Sequence, residues 1–516
     1  MNGDYDVVVV GFGPSGAVAA ALLGQAGVRT LVVDRTDEVY PKPRAIALDH
    51  EIMRVFQNLG LADAVSPHCE PFTPSEYYGA DGRLIKRLAT VEPPYPLGHT
   101  PSMVFTQPPV EAALRRHVQA LPAVDVVLGR RFTGVEQDAE GATVHFDAGA
   151  VRARYVIGCD GASSAVRDAV GITLEDLEFD EPWLVVDVQV NEKGLAKLPA
   201  TSVQYCEPAR PCTYVIGPGN HRRWEISLLP GEDPAYMATE EGAWSVLRRW
   251  IGPDDAALWR QASYRFHALV AREWRVGRVF IAGDAAHQQP PFLGQGMCQG
   301  VRDVVNLTWK LRAVLGGEAP DSLLDTYAVE RREHVRRLTT RIKEIGAVIC
   351  ERNPAAAKAR DAALIDAAGG EIKTVPRQDI IPPLMEGLLA AGGRAGTGTL
   401  FPQPRVNGPA GPALLDELAG TGWRIVTDLR TAQLPPGLLA RAERIGMLIS
   451  IPSDAAGFSS GPHRMQADEL DGVVARWFER HGCRAAVVRP DHYVYGVADD
   501  GQGLYDLVAG LADTLQ

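Results

Sequence analysis

The first 34 residues constrain the fold of this chain more than any other stretch. Val7-Val8-Val9-Val10 runs into Gly11-Phe12-Gly13-Pro14-Ser15-Gly16 and then into the apolar run 17–23; after Gly27 come Leu31-Val32-Val33 and Asp34. Four consecutive β-branched residues suit a parallel strand buried on both faces. The glycine spacing predicts a tight turn at Gly11, a backbone open to a pyrophosphate at Gly13, and close helix–strand packing at Gly16. The helix that follows presents free N–H groups and the positive end of its dipole. Asp34, eighteen residues beyond Gly16, stands where a carboxylate takes a ribose hydroxyl.

Several classes are excluded early. Asp4 and Asp6 stand where a signal peptide would be basic, and no run reaches bilayer length, so neither a leader nor a membrane partner is expected. The seven cysteines (69, 159, 206, 212, 298, 350, 483) are scattered without a C-x-x-C or a metal spacing, which predicts reduced thiols, no metal and a cytoplasmic protein. A net charge of −12 with no basic stripe argues against nucleic acid.

At 516 residues the chain exceeds what one core of ~250–300 residues can hold, so several domains are expected. The reading is a discontinuous dinucleotide-binding domain over 1–179 and 270–390, and a β-sheet substrate domain over 180–269 whose sheet 75–100 joins. A Gly/Pro-rich linker over 391–412 leads to a C-terminal α/β domain over 413–516. In 180–270, strands at 183–190, 213–216 and 224–229 are expected, the last two joined by Gly217-Pro218-Gly219-Asn220. In the tail, strands at 423–427, 447–451 and 485–489 alternate with helices at 470–481 and 503–515.

Two further loops carry chemistry. Tyr155-Val156-Ile157-Gly158-Cys159-Asp160-Gly161 leads into Ala162-Ser163-Ser164-Ala165-Val166-Arg167, a strand running into Asp-Gly and a short helix. Val279-Phe280-Ile281-Ala282-Gly283-Asp284-Ala285-Ala286-His287 is followed by Gln288-Gln289-Pro290-Pro291-Phe292-Leu293-Gly294-Gln295-Gly296-Met297 and a helix, a second cradle for an anion or carbonyl. In this order, the three loops resemble the fingerprints of the single-component FAD-dependent aromatic hydroxylases, the 4-hydroxybenzoate hydroxylase-like family. The branch of 3-(3-hydroxyphenyl)propionate hydroxylases is most similar, on P-R-A-I-A-L-D at 43–49, R-R-W-E at 222–225 and P-P-F-L-G-Q-G-M-C-Q-G at 290–300. The resemblance covers residues 1 to about 370, and the tail matches longer members in which it is thioredoxin-like. Without a C-x-x-C, the tail's Cys483 supports no redox role.

The resemblance implies an α/β fold with a Rossmann-like FAD-binding domain, a sheet over the substrate, and a thioredoxin-like tail. FAD is the implied cofactor, NADH or NADPH the co-substrate, and O2 and a small phenol the partners; a homodimer is left open. Gly11, Gly13 and Gly16 would hold the pyrophosphate, with Asp34 and Arg35 at the adenosine ribose. Arg44 would lie near the pyrophosphate and the nicotinamide path, Gln107 on the flavin side, and Asp160 at FAD and NAD(P)H. Gly283 and Asp284 would meet the ribityl or pyrophosphate portion. Pro291, Gly294, Gly296 and Met297 would flank the flavin, their amides facing the atoms where negative charge develops on reduction. Reduced flavin and O2 would give an electrophilic C4a-hydroperoxide that attacks the ring ortho to a phenolic hydroxyl.

Plainer readings stand beside these. Arg44 could pair with a surface acid, Gln107 could serve a buried turn, and His287 reads better as a structural histidine bonding backbone than as a base. Arg222 and Arg223, adjacent on one strand, must point to opposite faces; Glu225 is the expected ion-pair partner. Tyr205, Tyr214, His221, Arg265 and His267 are candidates for polarising the phenol by domain alone. A flavin halogenase is disfavoured by the missing W-x-W-x-I-P, and a disulfide reductase by the missing C-x-x-C and second glycine motif. A tailoring or inactivating hydroxylase of an aromatic polyketide or antibiotic is the rival within the family, and a non-hydroxylating FAD-fold protein the rival outside it.

Overall fold

Tyr5–Val10 is the centre of an eight-stranded sheet, pairing in parallel with Thr30–Val33 on one side and Gly149–Gly158 on the other. This is a computed structural model describing residues 4–372, 374–452 and 457–515; residues 1–3, which lead into the first strand, lie outside the described residues. Val124–Val127 and Val279–Ile281 extend the parallel order, and Phe132–Gln137 with Ala142–Phe146 forms an antiparallel excursion. Val7, Val8 and Val9 are fully buried, as strands covered by helices on both faces require. Helices Pro14–Gln25 and Gly296–Leu315 pack side by side on this sheet, close enough that Gly300 and Gly283 meet at Ser15.

The middle of the chain builds a nine-stranded sheet. Leu174–Val190 lies between Ala256–Ala271 and His221–Ser227; beyond the latter come Cys212–Ile216, Ser202–Tyr205, Ser75–Tyr78 and Leu84–Ala89. Alternation divides its faces. Tyr214, Trp224, Ile226 and Val186 point to one side, into a core with Trp244 and Leu247. Thr213, Arg223 and Glu225 point to the other, toward the first sheet. The turn at 217–220 closes with Gly217 N donating to His221 O at 3.0 Å.

The C-terminal unit is a six-stranded mixed sheet, Arg424–Thr427 being parallel to Met447–Ser450 and antiparallel to Ala485–Val488, a thioredoxin-like arrangement flanked by Val473–His481 and Gly501–Leu515. Residues 391–412 are held against the body. Phe401 and Gln403 are fully buried, and Arg405–Gly408 forms a hairpin with Gly411–Leu414. Arg54, in helix His50–Asn58, donates to both carboxylate oxygens of Asp416 at 2.6 and 2.9 Å and to Phe401 O at 2.7 Å. A second buried cluster joins Arg489 and Asp491 to Glu330, Lys310, Asn306 and Trp309. All seven cysteines are free, and among the described residues no helix is long and apolar enough to cross a membrane.

Candidate functional site

One cavity of about 1350 Å³ runs from the first glycine turn to the polar face of the nine-stranded sheet. Small-ligand pockets are usually ~300–1,000 Å³, so this one has room for a dinucleotide and a further ring. Gly11, Gly13, Asp34, Arg35, Arg44, Gln107, Asp160, Asp284, Pro291, Gly294, Gly296 and Met297 all line it.

The three glycines of the first turn do different work. Gly11 has φ +104°, and a Cβ there would lie 2.3 Å from Cys159 O. A Cβ on Gly16 would lie 1.9 Å from Gly11 O, so its small size serves packing. A Cβ on Gly13 would meet nothing within 4 Å and would project into open space. Gly16 and Gly283 do not line the cavity. Gly283, at φ +63°, backs onto Ser15 and Gly300 and lets the two helices approach.

Asp34 folds back on its own turn. Its Oδ2 accepts from Phe12 N at 2.6 Å, and its Oδ1 from Thr36 N and Oγ1, both at 2.7 Å. Asp160 likewise caps the short helix Ala165–Ala169, accepting from Ser164 Oγ at 2.5 Å and Val166 N at 3.1 Å. Gln107 bridges elements: Oε1 accepts from Ala45 N at 2.6 Å while Nε2 donates to Glu111 at 3.1 Å. Arg44 extends beside the Tyr40 ring at 5.8 Å, and among the described residues its guanidinium pairs with no carboxylate.

Asp284 faces the cavity without a hydrogen bond from the described residues. The side chain is exposed within the cavity, and the surrounding walls raise its carboxyl above the ordinary value, against the opposing charges of His287 and Arg44. Across from it, helix Gly296–Leu315 opens with the amides of Gly296, Met297 and Cys298, which precede the first intrahelical bond, from Gln299 N to Gln295 O at 2.9 Å. Gly294 is left-handed at φ +64° and packs against Ala47. An open glycine backbone, two helix N-termini and an unpartnered carboxylate suit a group with a pyrophosphate, ribose-like hydroxyls and a polar ring edge.

The far end has a floor of Gln204, Thr213, Arg223 and Glu225 and apolar walls that include Phe72, Val215, Phe266 and Phe292. Thr213 Oγ1 donates to Gln204 Oε1 at 2.6 Å. Arg223 is not paired with Glu225. It forks onto Asp187 at 2.7 and 3.1 Å and holds Arg44 O at 2.8 Å, while Arg222 turns to the carbonyls of Gly217, Gly219 and His221. Asp187 lies directly opposite Arg223 on the adjoining strand, which is why it wins.

Most candidates for polarising a phenol lie elsewhere. Tyr205 and Tyr214 occupy the other face of the sheet, against Trp250 and Trp224. His221 is bound to Asp187 at 2.8 Å. Arg265 and His267 reach the cavity rim but share Asp180 in an exposed cluster. His287 bonds the Asp303 carboxylate at 2.8 Å rather than backbone and stacks on Trp274, so it is structural by a different partner. Gln204, Thr213, Tyr264 and Arg377 escaped the sequence reading, and Glu225 entered it only as an ion-pair partner. Strand alternation held a signal, since Glu225 must share the face of Arg223.

Comparison with known proteins is consistent along the whole chain. The family described as FAD binding domain matches residues 4–342, and that described as HcaD C-terminal domain matches 398–514. The chain is 38% identical over 518 residues to a protein of Rhodococcus jostii named probable NADH-specific resorcinol 4-hydroxylase, covering 99% of this chain and 94% of that one. It is 34% identical to a 3-(3-hydroxy-phenyl)propionate/3-hydroxycinnamic acid hydroxylase of a Mycobacterium species, covering 96% and 89%. Among solved structures, the flavin-dependent monooxygenase PieE, in complex with FAD and substrate, superposes with a TM-score of 0.80 at 22% identity, covering 99% of this chain and 100% of that one. A ternary complex of aklavinone-11 hydroxylase with FAD and aklavinone gives 0.78 at 22% identity with the same coverage.

Proposed function

Because the chain belongs to the family of FAD-dependent aromatic hydroxylases, we propose that it hydroxylates a small, 3-substituted phenol next to its hydroxyl group, using NADH and O2. The observation that carries the reading is the single cavity joining the Gly13 turn to the polar floor of the nine-stranded sheet. Resorcinol is a 3-hydroxyphenol, so both relatives are named for phenols carrying a substituent at that position. An acidic side chain of the propionate type remains the substrate the branch-level motifs favour.

Gly11, Gly13 and the helix N-terminus at Ser15 would hold the pyrophosphate of FAD, with Asp34 and Arg35 at the adenosine end and Asp284 along the chain between the two ring systems. Pro291, Gly294, Gly296 and Met297 would border the flavin, where their backbone dipoles favour negative charge. Asp160 and Gln107 act chiefly by fixing the loops beside it. The cofactor, reduced by NADH, supplies activated oxygen from O2. The protein binds the phenol on the sheet floor and screens the site from water with the Phe72, Phe266 and Phe292 walls. A phenolic oxygen that loses its proton sends charge to the ortho and para carbons, which sets the position of attack. The free thiols suit a reducing compartment, the cytoplasm.

The rival is a tailoring or inactivating hydroxylase of a polycyclic polyketide or antibiotic. Structural likeness to aklavinone-11 hydroxylase speaks for the shared fold alone. The test is oxygen uptake and NADH oxidation by the FAD-loaded enzyme with resorcinol, with 3-(3-hydroxyphenyl)propionate and with a polycyclic phenol, followed by mass analysis. One added oxygen in a single-ring product is expected, together with faster flavin reduction when the phenol is bound. Turnover confined to the polycyclic phenol would transfer the assignment to the rival. Hydrogen peroxide as sole product with every phenol would remove the hydroxylase assignment.

Arg44 offers a sharper test of the hydride-donor path. With no carboxylate to neutralise it, its guanidinium is available to a nucleotide phosphate. Arg44→Ala should slow flavin reduction by NADH roughly 10–100-fold, the worth of one charge-assisted hydrogen bond, and change FAD affinity less. Lost FAD affinity with an unchanged reduction rate would make Arg44 a cofactor anchor only.

A further inference from the structure

We infer that Glu225 is the group that accepts the proton of the substrate's phenolic hydroxyl. This rests on the hydroxylase reading above and assigns the polarising group that reading leaves open. Glu225 is 4% exposed and lines the cavity, and neither of its oxygens takes a hydrogen bond from the described residues. A buried polar group without a partner is costly, so such a group facing a cavity marks where a ligand's donor belongs.

The surrounding charges leave it available. Arg223, on the same strand and face, is committed to Asp187 and to Arg44 O. On the adjoining long strands, Asp187 also receives Arg260, whose guanidinium bonds the Tyr264 hydroxyl. Thr213, directly opposite Glu225, carries no charge and donates to Gln204. Burial raises the Glu225 carboxyl to about 7, with Asp187 adding to the rise and Arg223 and Arg260 opposing it. A base poised near the working pH is efficient in general-base catalysis.

The step balances without another reagent beyond the activated oxygen. The phenolic O–H bond breaks, the proton passes to a Glu225 oxygen, and the electron pair stays on the phenolic oxygen and feeds the ring. After the ring carbon has taken oxygen, it sheds its proton to water as aromaticity returns, and Glu225 gives its own proton back to the phenolic oxygen.

The test uses the FAD-loaded full chain, with resorcinol and 1,3-dimethoxybenzene as probes and the flavin absorbance reporting binding. Wild-type enzyme should bind resorcinol more tightly than the ether, and more tightly as pH rises through about 7, because the ionised carboxylate is the better acceptor. Glu225→Gln should lose that pH dependence and lower kcat/KM about 100-fold, with Glu225→Asp recovering part of it. FAD content and melting temperature establish that both variants fold. Glu225→Gln with wild-type pH profiles for binding and kcat/KM would overturn the assignment while leaving the hydroxylase reading intact. A wild-type enzyme that adds oxygen to no phenol would instead remove that reading, and the binding profiles would still judge Glu225.

Discussion

Gly13→Val should yield a folded but colourless protein. The backbone at Gly13 has φ −73° and ψ −175°, ordinary for any residue, and a Cβ there meets no protein atom within 4 Å. The apoprotein should therefore melt within a few degrees of wild-type apoprotein. With the FAD pyrophosphate over this turn, as proposed, the added side chain would fill its space, so FAD affinity should fall by at least ~100-fold, about 2.7 kcal/mol. Gly11→Ala is the contrasting case. Its φ of +104° and the 2.3 Å approach to Cys159 O load the strain onto the fold itself, so that variant should be unstable with or without FAD. Equilibrium titration with FAD and thermal melts of both apoproteins separate the two effects. A Gly13→Val protein that retains wild-type FAD affinity would show that the cofactor does not lie on this turn.

That difference between neighbouring glycines also shows what the sequence made legible. The β-branched run 7–10, the glycine turn and the acid at 34 are local signals, and the strand, helix and second strand they predict stand in the structure. Spacing placed Gly13 but could not assign Gly283 to helix packing, because its neighbours Ser15 and Gly300 come from two other segments. The opposite facing of Arg222 and Arg223 followed from strand geometry. The partner of Arg223 did not, since Asp187 is 36 residues away and reaches it only through strand pairing. The polar floor was hidden for the same reason: Glu225, Thr213 and Gln204 lie on three strands. Least legible was the docking of the C-terminal unit, where Arg54 meets Asp416 across 362 residues and nothing near either residue announces the other.

That docking carries the second large effect. Helix Gly296–Leu315 begins at the cavity, and further along the same helix Asn306, Trp309 and Lys310 enter the buried cluster with Glu330, Arg489 and Asp491. Arg489 bonds both oxygens of Glu330, at 3.0 and 2.6 Å, and both of Asp491, at 3.0 and 2.7 Å. Arg489→Ala would leave the two buried carboxylates with one bonded cation among the described residues, Lys310 on Glu330, beside the neutral donors Asn306 and Trp309. Removing one partner from such a cluster costs ~3–5 kcal/mol, and a 516-residue protein should then melt roughly 3–5 °C lower. Replacing the cluster with apolar residues of matched volume should cost far less, since well-packed hydrophobic groups can substitute for a buried ion pair. The pH dependence has a defined sign. Burial pushes the Glu330 carboxyl up, but Arg489, Lys310 and the hydrogen bonds outweigh it and hold the group at about 2, below its unfolded value of 4.5. Its stabilising contribution is therefore complete above about 4.5 and lost as pH falls toward about 2. The gap in melting temperature between wild type and Arg489→Ala should be widest near neutrality and narrow over that acid range. A gap that stays constant from pH 7 to pH 3 would mean that the ionised Glu330–Arg489 pair does not hold the C-terminal unit to the cavity helix.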